Sequence, residues 1–379
     1  MVYERKYRNV FKDFGFCEDD IEKKVNDTFK DIFYGENSFY HPVGDDMAYI
    51  EDTGNHDVRT EGISYGMMMC VQLDQKKEFD ALWKWAKTYM YMEEGENKGY
   101  FAWSVSPKGK KNSYGPAPDG EEYFAMALFF ASHRWGDGEG IYFYSKEAKD
   151  LLHTCIHKGK DGLGYPMWDP TYKIIRMVPQ FKFTDPSYHL PHFYELFALW
   201  ADEEDRPFWK EATKVSREFL KKACHSKTGL SPEYSEYDGN PYSGKQDIFG
   251  RHDWYYSDSY RTIVNIALDY EWFAKYWDEG NDWHVETADN LQGFFCDTVK
   301  DNSSAVYTID GKVINKKALH PVAITATNAG ASLAAKGRYA KQCVEEFWGT
   351  PPRRGERRYY DNCLYMFSVL ALSGKYRIW

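Results

Sequence analysis

The sequence predicts an all-α fold, an (α/α)6 barrel of six inner and six outer helices whose long loops form a substrate cleft at one end. Three observations lead there. About twelve helical patterns follow one another along the 379 residues, they alternate between amphipathic and apolar, and strand signals are few. Inner helices packed on all sides and outer helices wet on one face generate such an alternation. No internal repeat of the solenoid kind is apparent, which weighs against an open array. Residues 1–379 are therefore expected to form a single barrel domain, a length that large one-barrel folds reach.

The elements follow in order. Asp19 to Phe33 carries Ile21, Val25, Phe29 and Ile32 at helical spacing and reads as an outer helix. Gly62 to Leu73 is uniformly apolar, Phe79 to Met92 amphipathic, Gly120 to Trp135 apolar, Ser145 to His157 amphipathic and Leu190 to Ala201 apolar. The second half repeats this with Pro207 to Cys224, Asp258 to Trp277, Trp283 to Cys296, Val322 to Ala335, Tyr339 to Trp348 and Asp361 to Ser373. Short hairpins are expected at Met167 to Val178 and at Ala305 to Ile314, the latter around the Asp310-Gly311 turn. Three long loops, 94 to 119, 226 to 257 and 300 to 320, are too rich in Tyr, Trp and Gly to be linkers.

Composition narrows the partners. Aromatic residues make up 18% of the chain, with 31 Tyr, 24 Phe and 13 Trp, and many stand in polar, glycine-rich segments where a flat ring suits a sugar or a base. The net charge of −10 and the lack of a dense basic patch argue against nucleic acid. Cysteines at 17, 70, 155, 224, 296, 343 and 363 show no CxxC spacing, which predicts reduced, buried thiols and no zinc site. The first residues lack the apolar core of a signal peptide, and no run of 18 apolar residues occurs. A soluble cytoplasmic protein, a monomer or weak dimer with no membrane partner, is the expectation. No GxGxxG after a strand, P-loop or GxSxG elbow is present, so no cofactor is expected.

Asp57-Val58-Arg59-Thr60-Glu61-Gly62-Ile63-Ser64-Tyr65-Gly66 is unusual for a helix start. Gly62 and Gly66 cost about 1 kcal/mol each in helix propensity, a cost that suggests close approach by another backbone or a flat ligand. Other polar residues also fall at the starts of apolar helices: Asp119 before the fourth, Tyr188 before the sixth, Asp258 opening the eighth, Tyr360-Asp361 opening the last. Any one carboxylate there can be a cap. Together, each on an inner helix, they define one face of the barrel. Two carboxylates across an aromatic groove suit glycosidic bond cleavage, one protonated to serve the leaving oxygen and one ionised to activate water or attack. Asp119 is placed to raise the pKa of Glu61, and Arg261, three residues after Asp258, to keep that aspartate ionised.

These residues carry a family resemblance. Ala117-Pro118-Asp119-Gly120-Glu121-Glu122-Tyr123-Phe124-Ala125-Met126-Ala127-Leu128 resembles the signature A-[ST]-D-[AG]-D-x-x-[IM]-A-x-[SA]-[LIVM] of glycoside hydrolase family eight, with Pro118, Glu121 and Phe124 as departures. The resemblance implies an (α/α)6 barrel that cleaves β-1,4 glycans with inversion. It further implies that Glu61, in TEGISYGMM, is the general acid. Asp258, in Asp258-Ser259-Tyr260-Arg261, is then the general base, with Ser259 where alanine is usual. Tyr188, in DPSYHLP, would position the water, and Trp103, in GYFAW, would be a sugar platform. Within the family, DVRTEGISYGMM, FTDPSYHLPHFYEL and HDWYYSDSYR together resemble most the members that release xylose from the reducing end of xylooligosaccharides. In those enzymes a loop closes the leaving-group side of the cleft, and Ala318-Leu319-His320-Pro321 resembles it.

Competing readings remain beside these. Asp253 rivals Asp258 as base, and Asp258 is favoured because Arg261 stands at i+3. His189, His192 and Glu195 have metal-like spacing, but Pro191 interrupts them, so packing is favoured over a metal. Trp103, Tyr114, Tyr255, Tyr256 and Tyr360 are sugar-subsite candidates, with loop positions tilting Tyr114 and Tyr255 toward the cleft. Arg59, Arg261 and His320 are further substrate-binding candidates, although an ion pair with Asp57 suits Arg59 better. The functional alternatives are an endo-acting β-1,4-glycanase on the same fold, a sugar isomerase or epimerase using paired histidines, and a silent glycan-binding module.

Overall fold

The computed structural model of the protein describes residues 5–244, 252–301 and 305–379. After a short α1 (Val10–Asp13), the outer helices are α2 (Glu18–Phe33), α4 (Lys76–Trp85), α6 (Tyr144–His157), α8 (Arg206–Ala223), α10 (Asp282–Gly293) and α12 (Ala340–Gly349). The inner helices are α3 (Thr60–Gln72), α5 (Pro118–Trp135), α7 (Pro191–Trp200), α9 (Thr262–Trp272), α11 (Pro321–Gly330) and α13 (Arg358–Leu372). Each inner helix touches the next, and α13 returns to α3, so the inner ring closes.

Burial follows the sequence pattern. In α3 every residue except Glu61 is buried, whereas α2 buries only the stripe Ile21, Val25, Thr28, Phe29, Ile32 and Phe33. The inner helices thus have no wet face to spend polar residues on. Several of their carboxylates stand in the first turn, Glu61 in α3, Asp119 and Glu121 in α5 and Asp361 in α13, where unpaired backbone N–H groups favour them.

Glycines set how closely those ends approach. A Cβ on Gly120 would lie 2.4 Å from Thr60 Cβ, so glycine is what lets the first turns of α3 and α5 pack side by side. A Cβ on Gly62 would lie 2.9 Å from the Tyr359 hydroxyl and 3.0 Å from Ile50 Cγ2. The close approach expected at Gly62 is therefore made by side chains from α13 and a strand, rather than by a backbone or a ligand.

Strands are few and short. Antiparallel β1 (Tyr40–Val43) and β2 (Met47–Ile50) form a hairpin that the sequence reading missed, since Pro42 interrupts the strand pattern. Strand β3 (Val58–Arg59) pairs with β4 (Ser104–Val105) and leads straight into α3. A three-stranded sheet joins β5 (Trp254–Tyr255), β6 (Val306–Thr308) and β7 (Val313–Asn315), the last two turning at Gly311 as expected. The other expected hairpin reduces to an isolated bridge between Trp168 and Ile175.

Periodicity read through changes of helix type: α4 and α10 continue into π-helical turns at Ala86–Met90 and Phe294–Val299, and α9 and α11 are followed by 3-10 turns. Residues 245–251 of the 226–257 loop and 302–304 of the 300–320 loop lie outside the described residues. Five of the seven cysteines are buried, but Cys17 is exposed and Cys296 is partly so. Among the described residues no helix is long and apolar enough to cross a membrane.

Candidate active site

The inner-ring N-termini converge on one guanidinium. Arg261 ends a 3-10 turn, Ser257–Arg261, that feeds α9. Its Nη1 donates to Glu61 Oε2 at 2.9 Å, to the Tyr65 hydroxyl at 2.7 Å and to Asp119 Oδ2 at 3.1 Å. Its Nη2 lies 3.3 Å from Asp258 Oδ1 and 4.0 Å from Asp185 Oδ2. Helices α3 and α5 and the segments before α7 and α9 therefore each deliver a carboxylate to Arg261.

The turn that carries Asp258 is held under strain. Ser257 adopts φ 45, a left-handed conformation that costs a non-glycine residue about 1–3 kcal/mol. Tyr360, on α13, donates to the Ser257 carbonyl at 3.1 Å and helps to fix it. The Ser259 hydroxyl accepts from Tyr256 N at 2.8 Å and closes the turn, which gives the serine at the usual alanine position a local role. Asp258 stays the most open of the four acids, with 25% of its side chain exposed against 13% for Glu61 and 8% for Asp119.

Four carboxylates around one cation cannot all stay ionised at ordinary cost. Burial pushes Glu61 up to about 7; Asp119 and Asp258 add to the rise, and Arg261 and Arg59 oppose it. Asp119 is also raised, chiefly by burial and then by Asp258, against Arg261 and the Gly120 N–H. Asp185 is pushed well up by burial and by Asp258, and its Oδ2 has no hydrogen-bond partner. The site is thus built to keep protons on carboxylates near neutral pH. Nη1 and Nη2 of a guanidinium are about 2.3 Å apart, so the oxygens of Glu61 and Asp258 that face them are within about 8.5 Å of one another. That ceiling reaches into the inverting range of about 6.5–9.5 Å and also spans the retaining separation of about 5 Å.

Other residues named from the sequence fall into two groups. Tyr188 is buried beside the cluster, its ring 5.5 Å from the Arg261 guanidinium. Burial and then Asp119, Asp185 and Asp258 raise its hydroxyl well above the ordinary value, so it remains a neutral donor. Tyr360 lies 6.0 Å from the same guanidinium and packs on His320. Trp103 is partly exposed and is covered by Arg59 at 5.3 Å. Arg59 is ion-paired with Asp57 at 3.1 Å and Asp52 at 3.2 Å. Tyr114 is 73% exposed.

Tyr255 is a correction. Expected at the cleft from its loop position, it is instead 1% exposed in β5, packed against Tyr260 and Phe295. The strand pairing with β6 turns it into the core. His189 and His192 are buried, and both are pushed down to about 3 by burial, while Glu195 pairs with Arg217. His189, just before α7, lies within hydrogen-bond distance of Thr184 and Ser216, and His192 on α7 packs against Phe193 and Trp272. Glu121, where the family pattern has aspartate, is buried and accepts from Phe101 N at 2.9 Å, anchoring the 94–119 loop to α5.

The loop at 318–321 is pinned rather than loose. His320 Nδ1 lies 2.8 Å from Asp361 Oδ2, and Arg353 Nη1 donates to both that oxygen and the Leu319 carbonyl at 2.6 Å. Asp361 also caps α11 by accepting from Ala323 N at 2.9 Å.

Sequence reasoning missed four residues of the cluster. Tyr359 donates to Glu61 Oε1 at 2.8 Å, Tyr65 receives Arg261, and Asp185 and Glu233 are buried acids raised by burial and by Asp258. Tyr65 stood inside the quoted TEGISYGMM segment and Tyr359 beside Tyr360, so proximity in sequence was the available signal. Nothing local marks Glu233.

A double helical ring with carboxylates gathered at one end suits glycosidic bond cleavage. Residues 28–374 match the family model of Glycosyl hydrolases family 8, and the chain belongs to that family. It is 56% identical to the reducing end xylose-releasing exo-oligoxylanase of Halalkalibacterium halodurans, across 100% of this chain and 95% of that protein. It is 48% identical to the enzyme of the same name from Bifidobacterium adolescentis, across 97% and 96%. The solved structure of Rex8A from Paenibacillus barcinonensis complexed with xylose superposes with a TM-score of 0.95 at 54% identity, covering 98% of this chain and 97% of that one.

Proposed function

We propose that the protein hydrolyses short β-1,4-xylooligosaccharides with inversion and releases xylose from the reducing end, with residues 1–379 acting as one catalytic domain. Glu61 protonates the leaving oxygen, Asp258 takes the proton of the attacking water, Asp119 binds the distorted sugar and holds up the Glu61 pKa, and Tyr188 orients the water. The observation that carries the assignment is the placement of Glu61 and Asp258 on opposite nitrogens of Arg261. There burial raises Glu61 to about 7 while Asp258 keeps the most open side chain of the set.

An acid of this kind works only while protonated, so turnover falls as pH rises through about 7. The reducing-end reading is supported by the relatives' names and by the 318–321 loop, which Asp361 and Arg353 pin and whose His320 packs on Tyr360, 6.0 Å from the Arg261 guanidinium. The net charge of −10 suits a neutral oligosaccharide and not a polyanion. Proton NMR of xylotriose digestion, with the reducing end labelled, tests the whole reading. Label released as free xylose with the inverted anomer formed first supports it. Scattered products from long xylan would establish endo action instead, and a retained anomer would exclude the Asp258 role.

A further inference from the structure

Outside the barrel's open face, three side chains from two outer helices meet in a way the hydrolysis does not use. His153 and His157 occupy successive turns of α6, with ring centroids 4.1 Å apart. Both point at Asp205: His153 Nδ1 lies 2.9 Å from Oδ2, and His157 Nε2 lies 2.5 Å from Oδ1. Asp205 is the N-cap residue of α8, yet its side chain makes no cap hydrogen bond and turns to the two imidazoles instead. Its side chain is 2% exposed, and the ion-pair partners it has among the described residues are histidines, which carry charge only when protonated. A buried carboxylate in that position is normally paired with a fixed cation or a metal.

We propose that His153 Nδ1, His157 Nε2 and the Asp205 carboxylate form a surface site for a divalent transition-metal ion of the zinc or nickel class, which staples α6 to α8. The three donor atoms lie within 4.8 Å of one another, the one such group among the described residues. Metal–nitrogen and metal–oxygen bonds of about 2.0–2.2 Å put tetrahedral ligands about 3.4 Å apart, so each ring needs to withdraw by less than about 1 Å. Two imidazoles and one carboxylate are a donor set that borderline metals accept and calcium or magnesium does not favour. The fourth position is open to Glu204, whose Oε1 is 3.8 Å from His153 Nδ1 and whose side chain is 75% exposed, or to solvent. Rings spaced at i and i+4 on a helix, and a carboxylate fixed at a helix start, are already oriented, so little ordering opposes binding. None of the three is bonded to the carboxylates around Arg261, and the ion's role is structural.

Titration of zinc chloride, then nickel chloride, into the metal-stripped full-length protein by calorimetry tests the site. The expected result is a single ion bound per chain and a Tm raised by stoichiometric zinc. His153→Ala and His157→Ala each weaken binding by about tenfold or more, with His157→Gln as a milder second variant. Xylotriose turnover stays within about twofold in all of them, since the trio shares no hydrogen bond or ion pair with the carboxylates around Arg261. Absence of zinc and nickel binding by the wild type would overturn the proposal and leave the trio as a hydrogen-bonded pin. So would binding that survives in His153→Ala and His157→Ala unchanged.

Discussion

Two arginines in this barrel, Arg261 buried and Arg217 partly so, meet carboxylates in opposite ways. Arg217 of α8 grips Asp269 of α9 through Nε at 2.9 Å and Nη2 at 2.7 Å, and gives Nη1 to Glu195 of α7 at 2.7 Å. His284 of α10 adds a contact to Asp269 at 2.9 Å. Burial alone would raise Asp269, but the charge and hydrogen bonds of Arg217 and then His284 reverse it and hold the carboxyl well below its usual range. Arg261 faces four acids with the same five donors, and Glu61, Asp119 and Asp185 are all raised. The difference is stoichiometry: a guanidinium matched by a bidentate partner staples helices, whereas one outnumbered by carboxylates stores protons for use.

The largest separation between the two clusters is expected in activity. Glu61→Ala and Asp258→Asn are each expected to lower xylotriose kcat/KM by about 10²–10⁴-fold, the range of general acid–base catalysis. Asp269→Asn should leave kcat within a few fold yet lose about 1–3 kcal/mol of stability in urea unfolding, because it removes the bidentate charged partner and leaves Arg217 with Glu195 alone. Equal loss of activity in all three variants would erase the distinction.

The next effect is on stability against pH. Glu61 binds its proton more tightly folded than unfolded, so the folded state is penalised as pH rises from about 4.5 to about 7. Glu61→Gln removes that penalty. Calorimetric scans should show the variant more stable than wild type at pH 8, by at most about 3 kcal/mol, with the gap closing below pH 4.5.

Two smaller effects probe the supports. Arg353→Ala frees the Leu319 carbonyl and half of the Asp361 anchorage; chromatography of digests should then show products other than xylose from the reducing end, with kcat on xylotriose lower by less than about tenfold. Tyr359→Phe removes a donor that favours the Glu61 carboxylate, so the alkaline limb of the kcat/KM profile should move upward by less than about one pH unit. A downward movement would contradict the hydrogen bond's assigned effect.

The barrel was legible because its periodicity is global: α3, α5 and α13 are apolar all round, and α2 and α8 carry polar stripes that no core could accept. Glu61, Asp119 and Asp258 were legible because a carboxylate opening an apolar helix has few other reasons to be there. What failed was local context. Tyr255 looked like a loop aromatic until β6 paired with its strand from 52 residues away in sequence. Gly62 announced a close neighbour without naming Tyr359, since the partner lies on the last helix. Asp185 stood inside the quoted DPSYHLP segment but was passed over for Tyr188, whereas Glu233 carries no motif, and only the folded chain brings the two toward Asp258.

The most direct measurement is the titration of the Glu61 carboxyl itself, by carbon-13 NMR of glutamate-labelled protein with Glu61→Gln to assign the signal. The crowded cluster predicts an apparent pKa near 7, matched to the alkaline limb of kcat/KM, while aspartate-labelled protein shows Asp269 still ionised at the lowest pH the fold survives. A Glu61 signal titrating at about 4.5 or below would contradict the claim that Arg261 is outnumbered in order to keep a proton on its acid.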